Sequence, residues 1–258
     1  MGNLLLRGML AGLVAALVCF VFLRVFGEPP VAQAIALEEA AASEAAAPHG
    51  HDAAAAGHSH GDEAALVSRG TQAGVGLLTA VTVYGAALGG LFALAFAFCY
   101  GRWATLGPRG TAALLAAIGF VAVYLVPFLK YPPSPPAVGN PDTIGLRTGL
   151  YLAMMLLSLG GAVAALMLRG RLVPGQGRWN AALLAGGAYL LGMTLVAALL
   201  PGIHEVPDGF PATTLWSFRM ASLGGQAILW AGIGIGFGLA SHRVARRVPG
   251  ARLDVAVV

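Results

Sequence analysis

Residues 148–168 read TGLYLAMMLLSLGGAVAALML, 21 residues without a charge, closed by Arg147 on one side and Arg169 on the other. A helix rises about 1.5 Å per residue and the hydrocarbon core of a bilayer is about 30 Å thick, so this stretch is long enough to cross one. Five further windows have the same character. There are 16 uncharged residues between Arg7 and Arg24, 32 between Arg69 and Arg102, and 20 between Arg109 and Lys130. Another 26 lie between Arg178 and Glu205, and 23 between Arg219 and Arg243. The windows predict six spans, near residues 4–25, 74–100, 111–129, 148–168, 179–200 and 220–241. Helix is the expected conformation, because backbone groups in lipid must pair within their own segment. No window shows the period-two alternation of a barrel strand. The second window exceeds the need, so tilt or an interfacial turn is expected there. The expected fold is therefore all-α, a polytopic membrane helical bundle forming a single integral membrane domain over residues 1–258.

Composition excludes the competing classes. The chain of 258 residues is 58% apolar and 10% charged, with 37 glycines. A soluble domain carries roughly 25% charged residues, so a soluble enzyme and a disordered chain are both ruled out. Cys19 and Cys99 are the two cysteines and both sit in apolar runs, which offers neither a disulfide framework nor a zinc motif. The net charge is +4, yet the basic residues are scattered singly or in pairs and are not clustered with aromatics. Nucleic acid is not an expected partner; membrane lipid is. The first window could imitate a cleaved leader, but Arg24 and Glu28 interrupt the approach to Ala32-Gln33-Ala34, and Gly8-x-x-x-Gly12 suits helix packing. It is read as a retained span.

Orientation follows from the arginines. With the N-terminus inside, the inner face holds Arg7, Arg102, Arg109, Arg169, Arg171, Arg178, Arg243, Arg246, Arg247 and Arg252. The outer face then holds Arg24, Arg69, Lys130, Arg147 and Arg219. Ten against five chooses both termini inside, in a bacterial cytoplasmic membrane. All the acids except Asp254 fall outside, where a negative surface gathers cations.

The three outward connections resemble one another. Each is an apolar helix, a charge, proline, a loop, then arginine opening the next helix: Phe26-Gly27-Glu28-Pro29-Pro30 to Arg69, Leu129-Lys130-Tyr131-Pro132-Pro133 to Arg147, and His204-Glu205-Val206-Pro207 to Arg219. Proline is expected to stop each helix. The arginines are expected to snorkel or to pair with an acid on a neighbouring hairpin. One reading is three parallel hairpins in a pseudo-threefold arrangement. Their tips, including Glu28, Lys130, Asp142, His204, Glu205 and Asp208, would then converge at one outer mouth. The other reading is that membrane hairpins commonly end in a charge and a proline. Gly85-x-x-x-Gly89 and the series Gly232, Gly234, Gly236, Gly238 are packing signals. Methionines in the spans are read as interface filler, and Trp103, Trp179, Trp216 and Trp230 as mostly an interfacial belt.

Residues 38–65 form an alanine-rich outer loop, expected to be flexible, that carries His49-Gly50-His51-Asp52 and His58-Ser59-His60-Gly61-Asp62. Imidazole and carboxylate ligands suit divalent transition metals, and alternate residues of an extended strand point the same way. His49, His51, Asp52, His58, His60 and Asp62 are thus candidate metal ligands in a capture loop. A tolerated polar loop or proton buffer is the competing reading. His204-Glu205 is the only His–acid dipeptide beside a span; it could receive metal at the mouth, with Glu28 and Asp142 contributing oxygens and Lys130, Arg147 and Arg219 beside them. It could equally be an interfacial cap. No G-x-x-x-x-G-K-[ST] occurs, so energy must come from a partner or a gradient, and no catalytic constellation recommends an enzyme.

The residues also resemble a family. Leu6-Arg7-Gly8-Met9-Leu10-Ala11-Gly12 with Arg24 to Pro30, Ser68-Arg69-Gly70-Thr71-Gln72, Val126 to Pro136 (VPFLKYPPSPP), Gly139-Asn140-Pro141-Asp142-Thr143, and His204 to Pro207 with Leu215 to Arg219 are similar to the CbtA family of cobalt transporter subunits. The likeness covers nearly the whole chain except the alanine-rich loop. It implies uptake of cobalt(II), as the transported ion, in support of cobalamin synthesis. It also implies a small one-span partner, CbtB, with a histidine-rich end. It supplies no metal-site residues. Nickel or zinc could replace cobalt with the same ligands, and a membrane metal-binding or sensing module that moves nothing is the alternative function.

Overall fold

The computed structural model describes residues 2–46, 67–102 and 106–247. Among them the chain is helical, with no strand. The elements are α1 (Gly2–Phe22), α2 (Glu28–Ala46), α3 (Arg69–Thr71), α4 (Leu77–Cys99), α5 (Pro108–Gly119), α6 (Val126–Lys130), α7 (Ile144–Leu199) and α8 (Ala212–Arg247). Three wide π-turns join neighbours without breaking the helix: Leu23–Gly27 between α1 and α2, Gln72–Gly76 between α3 and α4, and Phe120–Leu125 between α5 and α6. Five helices are long and apolar enough to cross a membrane: Gly2–Ser43, Arg69–Cys99, Pro108–Lys130, Pro141–Leu199 and Ala212–His242.

The expected stop at Pro29-Pro30 does not occur. The helix runs on from α1 into α2. Prolines cannot donate to the carbonyls one turn back, and the wide turn sits just ahead of them, with the Glu28 N–H closing onto Leu23 O. Residues 38–46 are accordingly helical, and the histidines at 49, 51, 58 and 60 lie outside the described residues. The second window carries a π-turn at Gln72–Gly76 near its start.

α7 is interrupted at Gly177, where φ is 74° and ψ is 168°, a conformation only glycine adopts without strain. Its two arms fold back on each other. Ser158 Oγ and Tyr189 OH lie 2.7 Å apart, and a Cβ on Gly161 would touch Met193 Sδ at 3.4 Å.

The consecutive long helices α1 and α4 make the most extensive contact, and Phe237 of α8 also meets Phe92 and Phe96 of α4. α4 lies against α1, α1 against α8, and α8 against α5. The contacts are close because the surfaces are small. A side chain on Gly8 would run into the Gly89 carbonyl, and one on Gly12 into that of Gly85. Beside this seam Phe92, Phe96 and Phe237 form edge-to-face pairs, with ring centroids 5.5 and 4.9 Å apart. Trp230 is buried in the same core, its ring filling the space a Gly119 side chain would need, so it is not part of an interfacial belt. Trp179 and Trp216 are exposed, and Trp103 lies outside the described residues. A second core joins α7 to the end of α6 through Val126, Tyr131, Met154 and Met193; here the methionines are filler. Cys19 and Cys99 are both buried free thiols, and Cys19 Sγ donates to Gly225 O at 3.3 Å.

Candidate functional site

Residues around Glu28 and Arg69, the 130–147 connection and the 201–219 connection lie together at one end of the bundle. Arg69 Nη2 pairs with Glu28 Oε2 at 2.7 Å, which ties the start of the second long helix to the first. Thr214, at the start of α8, donates to Gln33 Oε1 of α2 at 3.1 Å. The second and third connections are joined more firmly. Tyr131 OH donates to Pro201 O at 2.8 Å, and Arg219 Nε to Pro133 O at 3.4 Å. Glu205 Oε2 accepts from Asn140 N–H at 3.0 Å and from the Thr143 hydroxyl at 2.9 Å, with Arg147 Nε at 3.4 Å. The expected pairing of an opening arginine with an acid on a neighbouring connection is thus seen at Arg147.

The local backbone explains the clamp. Asn140 caps the short turn Pro141–Thr143 through its side chain, which accepts from Asp142 N–H. That turn presents Asn140 N–H and the Thr143 hydroxyl in one direction, towards Glu205. Gly139 has a φ of 110°, a left-handed conformation that favours glycine, and the Arg147 guanidinium lies where a side chain would point. Ala137 holds a φ of 65°, a left-handed conformation costly for a residue with a Cβ.

A cavity of about 390 Å³ opens between these groups. Lys130, Arg147, Arg219 and Glu205 line it, together with Tyr131 and Tyr151. Among the sequence-predicted residues, Lys130, Glu205, Arg147 and Arg219 are therefore brought together. Glu28 stands apart, paired with Arg69. Asp142, His204 and Asp208 are exposed on the two connections. His49, His51, Asp52, His58, His60 and Asp62 fall outside the described residues. Among the described residues no three His, Cys, Asp or Glu side chains cluster closely enough to hold a metal. Sequence reasoning missed Asn140 and Thr143; the N-cap pattern Asn140-Pro141-Asp142-Thr143 was the available signal. A larger cavity of about 630 Å³ lies between the third crossing helix and the arms of α7, but its wall is largely apolar, with Leu114, Ile118, Leu166 and Ala185 among the lining.

The carboxyl of Glu205 is held below its ordinary value of 4.5, first by the Asn140 N–H, then by the Thr143 hydroxyl and the Arg147 charge, with desolvation opposing. A depressed carboxylate contributes stability above the unfolded value and loses it as pH falls through the lower folded value. Acidification below 4.5 is therefore expected to part the two connections locally. Hydrogen exchange should find the Asn140 amide protected at pH 7 and released in acid. In Glu205→Gln the amide should be weakly protected at both, and equal protection of the native chain at both pH values contradicts the clamp.

A helical bundle with several apolar crossings and its polar connections gathered at one end is a multi-pass membrane protein. The chain matches the family described as "Probable cobalt transporter subunit (CbtA)" over residues 1–242, and it belongs to that family. No curated protein and no solved structure matches it.

Proposed function

We propose that the chain is the membrane subunit of an importer of cobalt(II), supplying metal for cobalamin synthesis in a bacterial cytoplasmic membrane. The family match over residues 1–242 carries this reading. Each arm of α7 crosses the bilayer, giving six crossings in a single membrane domain with both termini inside, a count supported by the hairpin contact between Ser158 and Tyr189. The excess of arginine on the Arg102, Arg109, Arg169, Arg171 and Arg178 side supports that orientation. The gathered end is then the outer mouth, and the three connections follow a shared pattern. The segment beyond α2 captures metal through His49, His51, Asp52, His58, His60 and Asp62. It passes the ion to His204 and Glu205 at the rim, with Glu28 and Asp142 nearby and Lys130, Arg147 and Arg219 setting the loops around them. A one-span CbtB-type subunit completes the importer.

The test is uptake of radioactive cobalt in cells lacking other importers, with and without this chain and the small subunit. Accumulation is expected only when both are present. His204→Ala, Glu205→Ala and Glu28→Ala are each expected to lower it. Full uptake in all three removes the proposed receiving site but leaves the transport reading standing, whereas no uptake with both native chains present overturns that reading.

A further inference from the structure

The cavity at the gathered end holds more positive charge than its own residues neutralise. Lys130, Arg147 and Arg219 line it, and Glu205 is the single acid in that lining. Glu205 is already engaged by Asn140, Thr143 and Arg147. Lys130 makes no ion pair among the described residues; its ammonium lies 5.7 Å from the centre of the Tyr131 ring. Arg219 bonds the neutral carbonyl of Pro133. Arg147 is paired with Glu205 through Nε at 3.4 Å and donates Nη2 to Asn140 O at 3.1 Å, so the unneutralised charge is that of Lys130 and Arg219.

With Arg147 paired to Glu205, Lys130 and Arg219 remain as like charges beside a partly apolar cavity, and the arrangement is favourable when an anion sits between them. The volume of about 390 Å³ is that of a ligand site and far exceeds the need of a halide. Guanidinium forks match pairs of phosphate oxygens, and a lysine adds a point charge. Ile144, Tyr151 and Ile203 add apolar surface to the lining. The cavity sits at the ends of helices long and apolar enough to cross a membrane.

We infer that this cavity binds a phosphate-bearing anion through Lys130, Arg147 and Arg219. An anionic phospholipid head group and free phosphate offer the same tetrahedral oxyanion. The inference rests on the cavity alone and stands whether or not the chain carries cobalt.

The test is thermal unfolding of the full chain in maltoside micelles, followed by tryptophan fluorescence. The micelles contain no phospholipid, added phosphatidylglycerol, or inorganic phosphate in the buffer at matched ionic strength. A ligand at about a hundred times its dissociation constant raises the midpoint by roughly 5–10 °C for a chain of this size. That rise is expected with at least one phosphate source and is expected to vanish in Lys130→Gln/Arg219→Gln, while Arg24→Gln, an exposed arginine outside the cavity, retains it. A rise with phosphatidylglycerol alone assigns the lipid; a rise with inorganic phosphate assigns the soluble ion. If the double variant does not fold, each single substitution is expected to halve the shift or more. No rise with either source overturns the inference, as does a rise the variants keep, or one produced instead by cobalt chloride and lost in them.

Discussion

Gly12→Leu is expected to abolish the folded bundle. The Gly12 position faces the Gly85 carbonyl, and a Cβ there collides with backbone, which cannot rotate away as a side chain can. Gly8 meets Gly89 in the same way one turn earlier, so the two helices cannot separate at one point without losing the other. Overpacking a core typically costs about 1–3 kcal/mol. A leucine against backbone lies at or beyond the top of that range, and the seam it opens also supports Phe92 and Phe96. Gly12→Ala is expected to be harmful too. Gly160→Ala provides the contrast: nothing lies within 4 Å of its Cβ position, and exchanging a helical glycine for alanine favours the helix by about 1 kcal/mol. Monodisperse yield and the unfolding midpoint of the purified protein check both. A Gly12→Leu protein that purifies and melts like the native chain refutes the close seam.

Removal of residues 49–63 is expected to lower cobalt accumulation by roughly ten-fold or more at limiting metal, and to leave it unchanged at excess. The segment is proposed to act by raising local ion concentration, and tethered sites of that kind multiply effective affinity without altering the path they feed. α2 sets the geometry. It continues the first long helix to Ala46, about 27 Å from Glu28 by helical rise, and the first histidine follows three residues later in the sequence. Equal uptake by the shortened and the native chain at limiting cobalt removes the capture role.

Much of the architecture was legible because charge is so costly in lipid that its absence marks a span. The windows bounded by Arg69 and Arg102, and by Arg109 and Lys130, contain the observed helices Arg69–Cys99 and Pro108–Lys130 to within a few residues. The pairing of Arg147 with an acid from another connection was legible for the same reason, since an arginine at a helix mouth needs either water or a partner. Other features depend on neighbours the sequence does not name. Pro29-Pro30 reads as a stop, yet a wide turn at Leu23–Gly27 absorbs the missing donors. Trp230 has the composition of a belt residue, and only the facing Gly119 makes room for it in the core. The carboxylate of Glu205 was visible as chemistry, but its commitment to Asn140 and Thr143 arises from a turn 62 residues away in the chain.

The two native thiols have a practical consequence. Cys19 and Cys99 are buried, one of them bonded to the Gly225 carbonyl, so membrane-impermeant maleimides find no target on the unmodified chain. A single cysteine substituted for Val206 or Arg171, both exposed, then reports the side of the bilayer on its own, and both native cysteines can stay in place.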